Sequence, residues 1–298
     1  MPGIFYNPIG RRAFIKSTAM ASAGIALFSR SVPAAGGPAP EFLHLALLSD
    51  THLPADRQNE YRGFKPYDNL TRILPEVIDT KPDAVLLNGD AARLTGELAD
   101  YEQLKKLLAP VAEAAPVYIG LGNHDNRENF FKVINEIPGD KQSVRNRHVV
   151  VMDHPTMRLV MMDSLLYVNE TAGLLGKAQR EWLTEYLASD DTRPVVLFIH
   201  HTLGDGDGEL LDVDRLFRII APSGKVKAIF YGHSHKYEFT VRENVQLINL
   251  PAVGYNFSDD QPVGWVDSKF RPDGVELTLR AFGGNVVKNG ETTRLKWL

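Results

Sequence analysis

The chain has 298 residues, 44% hydrophobic and 23% charged, ordinary proportions for a folded globular chain, and a length that suits one large domain or two small ones. Its formal charge of −4 and pI near 6.1 give no long-range field to gather nucleic acid or an anionic membrane surface, so neither is expected as a partner. It has no cysteine, which excludes disulfides, thiolate-held zinc and thiol catalysis and leaves oxygen and nitrogen as metal donors.

Residues 1–35 carry four basic residues, Arg11, Arg12, Lys16 and Arg30, and no acidic one. Their weakly apolar run, Ser17 to Phe28, is shorter than the roughly 20 residues a membrane span needs. A charged stretch, an apolar stretch and the small residues around Val32-Pro33-Ala34-Ala35 have the layout of a secretory signal peptide. Gly10-Arg11-Arg12-Ala13-Phe14-Ile15-Lys16 is similar to the twin-arginine signal. That implies passage in folded form through the twin-arginine export machinery to the periplasm or beyond, with no stable membrane span. Removing the four positive charges takes the formal charge from −4 to −8, which makes nucleic acid a still poorer ligand. Residues 36–41 read as a Gly/Pro-rich linker, and 42–298 as one domain.

Within that domain, short apolar and β-branched runs predict strands at Leu43–Leu48, Ala84–Leu87, Val117–Leu121, Val149–Met152, Leu159–Met162, Val195–Ile199 and Val226–Tyr231. Helical spacing of apolar residues predicts helices at Asp68–Ile78, Glu97–Leu108, Glu128–Ile134, Lys177–Leu187 and Val213–Ile220. Strand and helix alternate, the pattern of an α/β architecture. The last third differs. Tyr237–Arg242, Val245–Leu250, Gly264–Phe270 and Gly274–Phe282 read as consecutive strands, which predicts a second, more antiparallel sheet.

The predicted strands end in metal-binding residue types, and in open α/β folds ligand crevices form at the carboxyl ends of strands. Ser49-Asp50-Thr51-His52 ends the first; in an extended segment Asp50 and His52 would project to one side and reach one cation. Asn88-Gly89-Asp90 ends the second, and the two oxygens of Asp90 suit it to bridge two cations. Gly122-Asn123-His124-Asp125 ends the third, with a neutral amide oxygen on Asn123 and an imidazole on His124 for proton transfer. Further imidazoles end two later strands, in His200-His201 and in Gly232-His233-Ser234-His235. Two apart on a strand, His233 and His235 would straddle two metals about 3.5 to 4 Å apart. The chain has only nine histidines, and packing does not explain six of them at strand exits; His44, His148 and His154 have no such partners.

This order of motifs, spread over residues 43–235, resembles the signature of the calcineurin-like metallophosphoesterases. The resemblance implies an α/β (α+β) fold in which two mixed β-sheets pack as a sandwich flanked by helices. It implies two metal ions, Mn, Fe or Zn, one held by Asp50, His52, Asp90 and His235 and the other by Asp90, Asn123, His200 and His233. It also implies that His124 contacts the scissile phosphate, as the catalytic residue beside the metals. The family pattern makes His200 rather than His201 the ligand, although Thr202 follows here where many members have Pro.

Two such ions would make hydroxide available near neutral pH for in-line attack on a phosphate ester. The opening Leu-Ser-Asp-Thr-His-Leu and the Gly-Asn-His-Asp stretch are most similar to the branch with bacterial cyclic-nucleotide and glycerophosphodiester phosphodiesterases, which leans the expected substrate, a small phosphate ester, towards diesters. A phosphomonoesterase on the same site is the alternative, with Arg93 and Arg127 as clamps for a terminal phosphate if they face the crevice. A metal-stabilised binding scaffold without catalysis is the other. Selectivity is expected in the loops 57–67, 164–175, 204–211 and 255–262. No sequence feature specifies an oligomeric state.

Overall fold

Strand β1 (Leu43–Leu48) begins the part of the chain described by the computed structural model, residues 42–298; the predicted signal peptide and linker lie outside it. Helix α1 (Pro66–Asp79), β2 (Ala84–Leu87), α2 (Leu98–Ala114), β3 (Val117–Ile119), α3 (Arg127–Val133) and β4 (Asp140–Gln142) follow. Then come a hairpin of β5 (Val149–His154) and β6 (Met157–Met162), α4 (Gly176–Leu187), β7 (Val195–Ile199), α5 (Val213–Ser223) and β8 (Val226–Tyr231). The chain ends in β9 (Glu238–Arg242), β10 (Val245–Asn249), β11 (Pro262–Arg271), β12 (Gly274–Gly284) and β13 (Thr292–Lys296).

The strands form two mixed sheets, one ordered β13-β12-β11-β1-β2-β3 and the other β4-β5-β6-β7-β8-β10-β9. Within the first, β1, β2 and β3 are parallel; within the second, β6, β7, β8 and β10 are. The expected separate sheet for the last third does not form. Instead β9 and β10 extend the second sheet beyond β8, and β11 to β13 extend the first beyond β1. The reason is burial. Every residue of β10 is buried, and β11 is buried through most of its length, so each needs a covered place inside a sheet.

Alternation of side chains then builds the layers. Leu43, Leu45 and Leu47 of β1 meet Leu86, Val196, Phe198 and Phe230 between the sheets, where Phe198 and Phe230 stack with ring centres 5.1 Å apart. Ala46 and Leu48 point the other way and pack with Leu70, Ile73 and Val77 of α1 and Leu104 of α2. On the far side, Val195, Leu197 and Ile199 of β7 pack with Leu183 of α4 and Leu216 and Phe217 of α5. Helix α1 starts at Pro66, two residues before the predicted Asp68, because proline's fixed φ suits a first helical turn. The four-layer sandwich sends the carboxyl ends of β1, β2, β3, β7 and β8 to one edge.

Candidate metal centre

The residues after those five strands converge, and the backbone pays a conformational cost to bring them in. Asp50, His52, Asp90, His233 and His235 all have positive φ, between 44° and 68°, a left-handed conformation that costs a non-glycine residue on the order of 1 kcal/mol. Asp50 and His52, like His233 and His235, therefore reach the cluster through left-handed turns and not, as expected, by alternation along an extended strand. Strand β1 stops at Leu48 and β8 at Tyr231, before either pair. Asn88 joins the sheets at this edge: its amide lies 3.4 Å from the Ile199 carbonyl and 3.3 Å from that of Phe230. Gly89, at φ +88°, lets the chain turn there while the His200 ring lies against it; a Cβ would meet that ring at 2.6 Å.

Three overlapping donor sets result. Atoms of Asp50, His52 and His235 lie within 4.8 Å of one another, as do atoms of Asp90, His200 and His233, and a third set joins His52, Asp90 and His124. Asp50, His52, Asp90, Asn123, His200 and His235 are buried, whereas His124 and His233 are half-buried, so the cluster opens on their side. His235 Nε2 is 3.3 Å from Asp50 Oδ1 and 3.0 Å from His52 Nε2. His200 Nε2 is 3.3 Å from Asp90 Oδ2, and His233 Nδ1 is 3.0 Å from Asn123 Oδ1.

The outward nitrogens show that these groups suit a cation. A carbonyl can only accept, so His200 donates from Nδ1 to Asn88, His235 from Nδ1 to Tyr255, and His233 from Nε2 to Gly208. Wherever such a ring is neutral, its remaining nitrogen is a lone pair aimed at other acceptors, and His200 Nε2 has no hydrogen-bond partner. Lone pairs and carboxylates facing each other at about 3 Å need positive charge between them. The electrostatics agree. Burial opposes the charge of Asp50, yet His200 and His235 hold its carboxyl down to about 2. Burial likewise opposes protonation of His200, yet Asp90 and Asp50 push it up to about 10. Burial drives His52 well below its ordinary value, keeping that imidazole neutral and available as a ligand.

The neighbours of the cluster hold it in place. The His124 N–H donates to Asp90 Oδ1 at 2.9 Å, and the His233 N–H to Asp50 Oδ1 at 3.1 Å. His124 Nδ1 donates to the Leu94 carbonyl, leaving Nε2 as its free nitrogen. His201 sits in a different place: its Nδ1 is 2.7 Å from Ser164 Oγ, and its ring packs on Gly173. Buried Asp125 accepts from the backbone of Gly122, Ala91 and Ala92 and from Tyr101, tying the Asp90 loop to the Asn123 loop; burial and Asp90 push its carboxyl up to about 6. Its position in the Gly122–Asp125 motif was the only sequence signal of that role.

All four loops expected to carry selectivity border the cluster. Asn169 donates to the Asn123 carbonyl, Gly208 accepts from His233, Tyr255 stacks on His52, and Tyr61 packs on Tyr255. Of the two arginines, Arg127 is committed to buried Asp163, through paired contacts of 2.6 and 2.8 Å, and to the Leu165 carbonyl. Arg93 lies over the Tyr255 ring, 5.8 Å from its centre, and bonds Asn59. The aromatic residues Tyr255 and Phe257 carried no sequence signal beyond their place in a loop expected to set selectivity.

The sequence model of the family described as calcineurin-like phosphoesterase matches residues 43–237. A protein of Rhodopseudomonas palustris named a probable cyclic nucleotide phosphodiesterase is 31% identical over 207 residues, covering 65% of this chain and 72% of that protein. A 3′,5′-cyclic adenosine monophosphate phosphodiesterase of Haemophilus influenzae is 25% identical over 249 residues, covering 78% and 87%. Among solved structures, a dimetal phosphatase from Danio rerio superposes with a TM-score of 0.68 at 14% identity, covering 86% of this chain and 99% of that one, which shows the shared fold.

Proposed function

Given that the chain belongs to the calcineurin-like phosphoesterase family, and is a metal-dependent phosphoester hydrolase, we propose that it is an exported enzyme that holds two metal ions and cleaves phosphodiesters. The observation that carries this reading is the run of overlapping donor sets, in which His52 links Asp50 and His235 to Asp90, and Asp90 links His52 to His200 and His233. Asp50, His52, Asp90 and His235 would hold one ion, and Asp90, Asn123, His200 and His233 the other. Oxygen and imidazole donors suit Mn, Fe or Zn. When bound, the two ions supply the Lewis acidity that activates water and offsets the charge of the phosphate oxygens.

The chain's own residues supply position and protons. Asp125 and Asn88 fix the loops that carry the donors, so their geometry is set before substrate arrives. His124, anchored at Nδ1, presents Nε2 on the open side, where it stabilises developing charge or gives a proton to the departing alkoxide. The diester preference is supported by the names of the two relatives and by Arg127, whose commitment to Asp163 removes one cation that a monoester's extra charge would use. Export rests on the twin-arginine-like segment at Arg11-Arg12; among the described residues no helix is long and apolar enough to cross a membrane.

The test is hydrolysis of bis(p-nitrophenyl) phosphate and p-nitrophenyl phosphate after metal removal and reloading with Mn, Zn or Fe. The diester is expected to turn over faster. His124→Ala should cost about 100-fold in kcat with metal content retained. Faster monoester turnover would overturn the diester preference, and inactivity with metal bound would make the protein a binding scaffold. Export is read from the mass of the periplasmic form, expected to lack about the first 35 residues.

A further inference from the structure

Two aromatic rings cover imidazoles of the donor set and continue outwards. Tyr255 stacks on His52, with centres 4.7 Å apart and planes at 21°. Phe257 stacks on His235 at 4.1 Å and 19°. Phe257 is nonetheless 50% exposed, so the ring face turned away from His235 meets solvent. Tyr61, from a different loop, packs 4.7 Å from Tyr255 and is 41% exposed. A single exposed aromatic residue needs no explanation, but a group that starts on the donor histidines and ends in solvent is a directional surface.

That surface is built. The loop of Tyr61 is joined to the loop of Phe257 by the Arg62–Asp259 ion pair, 2.6 Å, and the Asn69 amide holds the Val253 and Gly254 carbonyls just before Tyr255. We propose that Phe257, with Tyr61 and Tyr255, is a stacking platform for a planar aromatic group joined to the phosphate, and that it selects aryl- or heterocycle-bearing esters over alkyl and polyol esters. This rests on the reading of the adjacent donor set as the phosphate site. An aromatic ring gains dispersion and quadrupole contacts on such a platform, whereas a polyol must give up water for ring faces that offer it few hydrogen bonds.

The probes are phenylphosphonate and methylphosphonate, which share one anionic head and are not hydrolysed by phosphoester cleavage. Their binding to the metal-loaded protein is measured by calorimetry. Phenylphosphonate should bind roughly tenfold more tightly. Phe257→Ala should erase most of that preference without weakening methylphosphonate, and Phe257→Trp should retain it. Equal affinity for the two probes, a preference that survives Phe257→Ala, or an equal loss for both probes would overturn the platform; the last would make Phe257 only a buttress for His235. The reading beneath it fails separately. A phenyl preference without diester hydrolysis would leave the platform standing and remove the proposed reaction, hydrolysis without a preference would do the reverse, and failure of both probes to bind would overturn both.

Discussion

Gly122→Ala is expected to damage the metal centre without changing any donor. A Cβ at this position would lie 2.2 Å from Asp90 Oδ1, 2.5 Å from the Asp90 backbone nitrogen and 2.7 Å from His200 Cδ2. Unstrained contacts of carbon are about 3.5 Å, so something must move by about 1 Å. Rotating the Asp90 side chain does not relieve the contact with its own backbone. Overpacking of this kind costs about 1–3 kcal/mol, and a displacement near 1 Å at reacting groups costs about 100-fold in rate. Gly122→Ala should therefore melt a few degrees lower, hold less metal, and lose about 100-fold in kcat/KM on bis(p-nitrophenyl) phosphate. Gly120→Ala is the control, because its nearest contact is the flexible Met161 Sδ at 3.2 Å. Wild-type metal content and turnover in Gly122→Ala would mean that the donors do not depend on the close approach of Gly122 to Asp90 and His200.

His200→Ala should lower the metal content measured by atomic emission, whereas His201→Gln should keep it, because the two rings face different partners. Arg127→Ala should destabilise the fold by about 2–3 kcal/mol in urea titration, by leaving buried Asp163 with weaker partners, while metal content is retained. Asp267 gives a pH signature. Burial raises its pKa, but hydrogen bonds with His44 and Arg280 outweigh that and hold the carboxyl below its ordinary value. The native state thus favours the ionised form, and its stabilisation is complete above the unfolded value near pH 4 and lost as pH falls through the lower native value. The stability difference between wild type and Asp267→Asn should therefore shrink as pH falls below about 4.

The centre was legible because its chemistry lies at strand exits, where apolar runs give way to Asp, Asn and His within one or two residues. The helices were legible from residues such as Leu70, Ile73, Leu74 and Val77, whose spacing is the buried face of α1. What could not be read depends on partners distant in sequence. β4 is Asp140-Lys141-Gln142, with no apolar alternation, and exists because it pairs with β5. The runs of β10 and β11 look alike locally, and only packing sends one to each sheet. The left-handed turns at Asp50, His52, His233 and His235 were hidden because non-glycine residues there are held by the assembled site and not by local preference. Nothing local in the sequence ties Arg127 to Asp163, 36 residues later, which takes its guanidinium.

Metal stoichiometry measured together with diester hydrolysis tests the proposed two-metal centre at Asp90. The wild type should bind two ions per chain, with activity rising as the second is loaded, and Asp90→Ala should lose at least one ion and turnover with it. A wild type that binds no metal, or an Asp90→Ala variant that keeps both ions and hydrolyses the diester normally, would contradict a two-metal centre that depends on Asp90.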